Sequence, residues 1–171
     1  MQTGIPVARM ELLDDVQMGA CISYSKLEGY EEKPTIFFEF HGTETGAKEQ
    51  AEAVQAIAEE FGGSAFQWTS KMEDRNKLWQ ARHDAYYAAI ALRSGCQGWA
   101  TDVCVPVSRL AECINETKDD LEETGLISPL VGHVGDGNFH MLYIVDPNNQ
   151  EEMAKAQAHS DRMVMRALEM G

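Results

Sequence analysis

A chain of 171 residues and 19.0 kDa lies in the range of about 100 to 200 residues expected of one domain, and 44% hydrophobic with 25% charged residues excludes a disordered tail, a collagen-like repeat and a disulfide-stapled miniprotein. A formal net charge of −14 without any basic run makes nucleic acid and anionic membrane surfaces poor partners, because both are bound through cationic patches. A chain of this length buries about 70% of the surface its unfolded form exposes, so any metal ligands would serve chemistry rather than folding.

In chain order, Ile5 to Leu12 reads as a strand and about Asp14 to Lys26 as a helix. Pro34 to His41 is rich in β-formers and is the clearest strand. Ala47, Ala51, Val54, Ala58 and Phe61 recur at helical spacing and stop at Gly62 and Gly63, a C-terminal signal. Ala65 to Thr69 reads as a short strand, and Ser70 with Glu73 as a capping box opening a helix to about Leu92. The wholly apolar stretch Tyr86 to Leu92 is far short of the roughly 18 residues of a spanning helix.

A strand from Ala100 to Val105 leads through Pro106 into a helix ending at Gly125. Ile127 to Val134 and Phe139 to Val145 then form a hairpin about Gly135 to Asn138, and a last helix starts near Asn149. Nothing marks a linker or a repeat, so residues 1–171 read as one unit. The start, Met1 to Met10, carries no signal or transit pattern. Cys21, Cys96, Cys104 and Cys113 contain no CxxC pair and read as small buried hydrophobes in a reducing compartment.

The sharpest feature is GHVGDGNFH, Gly132 to His140. With Asp136 and Gly137 as the centre of a two-residue turn, His133 stands directly opposite His140, with Cβ atoms roughly 4.5 to 5.5 Å apart. Asn138 points the same way, because strand side chains repeat with period two. Two imidazoles can thus converge on a divalent metal with an amide beside them, although two histidines alone make an incomplete site and equally suit a surface pair. Glu151 and Glu152 read as first-turn residues favoured by the helix dipole rather than as a third ligand. On a helix, Trp79, Arg82 and Tyr86 place one cation among aromatic faces; such an Arg either forks onto a carboxylate ligand or pairs with Asp84 or another acid. His83 reads as a core or surface histidine.

PVARMELLD, PTIFFEFHG, LWQARHDAYYAA, TDVCVPVSRL and GHVGDGNFH together resemble the C-terminal, substrate-binding portion of the FAD-linked oxidases of the vanillyl-alcohol oxidase type, in the D-lactate dehydrogenase and glycolate oxidase branch. The resemblance implies an α+β, ferredoxin-like cap domain whose mainly antiparallel sheet is covered by helices, where alternating helices and strands alone would also allow a parallel sheet. It implies a metal, Zn or Mn, on His133 and His140, a substrate carboxylate on Arg82, and Asn138 as a ligand contact. FAD would be bound mainly by a flavin-binding domain of the same protein. A further segment with Glu, His and Gly, expected outside these residues, would supply another metal ligand and the base.

The implied reaction is oxidation of a small D-2-hydroxy acid to the 2-oxo acid, with an unknown electron acceptor; Ala100, where 2-hydroxyglutarate-type relatives tend to carry Lys, argues against a dicarboxylate. The chain by itself is then expected to fold but to be inert and largely metal-free, with a bared apolar surface that favours homo-oligomers. The compartment would be cytoplasmic in a bacterium and mitochondrial in a eukaryote. Two other classes stay open: a stand-alone module binding a metal and a small acid, and a metal-dependent hydrolase with Asp136 as base.

Overall fold

The structure is a computed structural model and describes residues 4–171. Met1 to Thr3, part of the stretch read for a targeting signal, lie outside the described residues. The elements run β1 (Val7–Leu13), α1 (Asp15–Ser25), β2 (Thr35–Phe40), α2 (Glu44–Glu60), α3 (Met72–His83), α4 (Ala85–Ile90), β3 (Gln97–Ala100), β4 (Val103–Cys104), α5 (Val107–Glu122), β5 (Leu130–His133), β6 (Asn138–Val145) and α6 (Gln150–Met170). The strands form one sheet in the order β2-β1-β5-β6-β3, with β4 also on β6 and every pairing antiparallel. This is the α+β architecture expected, not the parallel sheet that alternation alone would allow.

The middle of the sheet is buried on both faces. On β6, Phe139, Met141, Tyr143 and Val145 point into a core with Leu110, Cys113 and Ile114 of α5 and Ala156, Met163 and Ala167 of α6. The alternate residues Leu142 and Ile144 pack with Ala89 and Ile90 of α4. Further along the same face, Leu13 joins Met18 and Cys21 of α1, Phe37, and Ala81, Ala85 and Ala88. By period two, Glu11 shares the face of Leu13, and Asn138 and His140 share the face of Leu142. Asn138 and His140 are only partly covered, whereas Glu11 is buried.

Several expected elements differ. No strand forms at Ala65 to Thr69, where Ala65 has φ +55°. The capping box is absent: α3 starts at Met72 after Lys71, and the Thr69 hydroxyl, not Ser70, accepts the Lys71 amide and donates to Asp74. The long helix breaks at Asp84. Two α1 side chains reach its carbonyls there, Gln17 Nε2 to Ala85 at 3.0 Å and Cys21 Sγ to Ala81 at 3.5 Å, and such insertions bend helices.

The single strand expected at Ala100 to Val105 is interrupted at Thr101 and Asp102 without loss of register, since Ala100 faces Leu142 and Val103 faces Phe139. The Thr101 hydroxyl takes the Met141 amide at 2.9 Å, so the Thr101 carbonyl is released from the ladder. Cys104 is exposed, unlike Cys21 and Cys113, and all four cysteines are free.

A polar network crosses the α5/α6 core. His159 is fully buried; its Nδ1 accepts from the Tyr143 hydroxyl at 2.6 Å and its Nε2–H donates to the Thr117 carbonyl at 3.0 Å. Burial holds this imidazole below its usual pKa and pushes the Tyr143 phenol up. Above about pH 6.5 both folded and unfolded His159 are neutral and cost nothing. As pH falls from there through the depressed folded value, the unfolded chain gains a proton more readily, so stability is lost. Thermal midpoints followed from about pH 7.5 to 5 should fall, and His159→Gln, which can keep both hydrogen bonds, should flatten that slope. An equal slope in the variant would assign the loss to other groups.

Candidate functional site

The hairpin turns differently from the two-residue expectation. His133 faces Asn138 and His140 faces Val131, so the loop is the four residues Val134 to Gly137, closed by Asp136 N–H to the His133 carbonyl at 2.9 Å. The pairing has slipped by two, which preserves the face of every side chain where a slip of one would invert it. His133 and His140 are therefore diagonal rather than opposite neighbours, yet share a face with ring centres 5.5 Å apart and planes at 84°.

Each imidazole is held by its Nδ1. His133 Nδ1 lies 2.8 Å from Glu11 Oε1, and His140 Nδ1 lies 3.0 Å from the freed Thr101 carbonyl and 3.4 Å from Asp102 Oδ1. A carbonyl only accepts, so His140 carries its proton on Nδ1, and a carboxylate beside His133 favours the same tautomer. Among the described residues neither Nε2 has a hydrogen-bond partner, so in these tautomers both lone pairs are left for another partner. Two imidazoles bound through nitrogen at a tetrahedral angle have ring centres about 5 Å apart, and outer acceptors of this kind are what orient metal-binding histidines. The ring-centre separation of 5.5 Å is close to that spacing. Among the described residues no cluster of three or more His, Cys, Asp or Glu is placed to hold a metal, and Asp102 lies on the Nδ1 side of His140.

Arg82, near the C-terminus of α3, reaches the same place. Its Nε and Nη2 both donate to Glu11 Oε2, at 3.2 and 2.9 Å, while the other oxygen of Glu11 meets His133. One carboxylate thus joins the arginine to the histidine pair. The aromatic surround expected of Arg82 belongs instead to Arg9, whose guanidinium sits 4.4 Å over Trp79. Tyr86, beyond the break at Asp84, bonds the Gly98 carbonyl. Asn138 donates to Asp102 Oδ1 at 2.6 Å and to the Val103 carbonyl at 3.0 Å, so both its amide protons are used, and its own oxygen has no hydrogen-bond partner among the described residues. Glu152 is spent on a bidentate pair with Arg93.

The structure brings together His133, His140, Arg82 and Asn138, and adds Glu11, Thr101 and Asp102, which sequence reasoning missed. Glu11 had a signal, since period two puts its charge on the inward face of a strand beside Leu13.

These residues lie at the hairpin end of β5 and β6 and on the adjoining β1 of a helix-covered antiparallel sheet. The pattern of the family described as FAD linked oxidases, C-terminal domain, matches residues 1–171, and the chain belongs to that family. It is 48% identical to a probable mitochondrial D-lactate dehydrogenase of Danio rerio, over 99% of this chain and 34% of that one. It is 41% identical to a mitochondrial D-lactate dehydrogenase [cytochrome] of Arabidopsis thaliana, over 99% and 30%. A glycolate oxidase subunit of Escherichia coli strain K12 is 24% identical, over 98% and 34%. The chain spans about a third of the length of these relatives. A 4-ethylphenol oxidase from Gulosibacter chungangensis shares the fold, with a TM-score of 0.65 at 11% identity over 94% of this chain and 38% of that one.

Proposed function

We propose that this domain binds a small D-2-hydroxy acid, of the D-lactate or glycolate kind, and presents its carbon to a flavin held elsewhere in the same protein, which oxidises the acid to a 2-oxo acid. The observation that carries the proposal is the pair of free Nε2 atoms on His133 and His140 beside an arginine whose outer Nη1 and Nη2 donors are open. Arg82 binds the carboxylate through that outer fork. Asn138, whose amide nitrogen is held by Asp102 and the Val103 carbonyl, would accept from the substrate through its amide oxygen.

His133 and His140 would hold a divalent ion, Zn or Mn, which when bound acts as a Lewis acid on the substrate hydroxyl; FAD supplies the hydride acceptor. The residues of this chain orient the acid so that two anchors, carboxylate and hydroxyl, fix the third position, its C–H. The names of the animal and plant relatives support a mitochondrial setting in a eukaryote. Among the described residues no helix is long and apolar enough to cross a membrane.

In the complete natural protein, D-lactate should bleach the flavin absorption, and His140→Asn should lower both the metal retained after dialysis and the rate of bleaching, by roughly 10-fold or more. Unchanged metal content and rate in that variant would remove the metal from the proposal.

A further inference from the structure

The usual pairing of arginine with carboxylate is fork to fork, two N–H groups on two oxygens. Glu11 departs from it. Both Arg82 donors converge on Oε2, and Oε1 is given wholly to His133 Nδ1 at 2.8 Å. The carboxylate is 8% exposed and the arginine 17%, so neither is a mobile surface group. A bridge whose task was only to neutralise a buried charge would gain from using both oxygens on Arg82.

We propose that Glu11 is a positioning residue that sets the distance between the two substrate anchors. The inference rests on the function proposed above. Oε2 grips the guanidinium along its Nε/Nη2 edge, which leaves the Nη1/Nη2 edge free for a carboxylate, so Arg82 binds its ligand without releasing Glu11. Oε1 accepts the Nδ1 proton of His133 and thereby keeps the Nε2 lone pair turned to the site. One rigid group of three atoms therefore couples a residue of α3 to a residue of β5.

Only a group that accepts at both ends can do this. Glutamine at position 11 must present its amide to one partner: facing Arg82 it sets donor against donor, and facing His133 it forces the proton from Nδ1 to Nε2. The size is unchanged, so packing is not the variable.

The test uses the complete natural protein with D-lactate as the probe. Glu11→Gln should raise KM, lower kcat and cut kcat/KM roughly 10- to 100-fold, with less metal retained after dialysis and an unchanged flavin content. A kcat/KM within about twofold of the parent would overturn the proposal. Arg82→Lys and His133→Asn separate the two levels. If these also leave kinetics unchanged, the site itself is misassigned; if they impair turnover while Glu11→Gln does not, only the role of Glu11 falls. Should Glu11→Gln fail to fold, nitrogen NMR of histidine-labelled parent protein still decides: His133 protonated on Nδ1 supports the bridge, and His133 protonated on Nε2 overturns it.

Discussion

Arg82→Ala is expected to lower kcat/KM of the complete protein by roughly two orders of magnitude or more, with KM raised and kcat reduced together, because a lost orienting anchor costs at both stages. It should also destabilise the fold. Glu11 would keep His133 but lose its cation, and leaving a buried charge without its ion partner costs about 3 kcal/mol. Arg82→Lys divides the two effects. A lysine ammonium still neutralises Glu11 but is a point charge without a second, planar fork for the ligand, so most of the stability should return while most of the activity does not. Thermal midpoints and steady-state kinetics on the two variants check this. Lower midpoints with unaltered kinetics in both would make Arg82 a structural ion pair of Glu11 and nothing more.

The histidine face was legible because it depends on parity alone. A loop of four residues in place of two moves His133 from a partner directly opposite to a diagonal one, yet both rings remain on one side of the sheet. Helices with strong local signals, such as α2 with its glycine stop and α5 after Pro106, also follow from sequence.

What escaped was set by distant partners. The helix from Met72 divides at Asp84 because Gln17 and Cys21, far away in the chain, take carbonyls of Ala85 and Ala81. The cation over Trp79 is Arg9 rather than Arg82 for the same reason, since β1 and α3 meet only in the folded sheet. Thr101 is a subtler case: a strand-forming residue whose hydroxyl replaces its own carbonyl in the ladder, freeing that carbonyl for His140. No period or motif announces such an exchange. Glu11 could be suspected from an inward-facing charge, but its two partners stand 71 and 122 residues away.

The second large effect concerns the loop that carries the histidine pair. Gly137 has φ +77°, and a Cβ built on it would stand 2.0 Å from the Val105 carbonyl oxygen. Alanine there pays about 1 kcal/mol for the left-handed backbone, and it must also move away from a backbone atom that cannot rotate aside. That movement pulls apart the bond from Val105 N–H to the Gly137 carbonyl, 2.9 Å long, and strands a nearly buried amide at a cost of about 1 to 3 kcal/mol. Gly137→Ala should therefore lose about 3 kcal/mol, a fall in thermal midpoint of roughly 6 to 12 °C for a domain of this size. Asn138 is the next residue, and its bonds to Asp102 and Val103 cross the same β4/β6 junction, so turnover should fall as well. Gly125 provides the control: it has φ +68° with nothing within 4 Å of a built Cβ, so Gly125→Ala should show the backbone cost alone, about 1 kcal/mol, and leave kinetics intact. If the two alanine variants lost equal stability, the close approach to Val105 would carry no energetic weight, and the hairpin's position against β4 would need another cause.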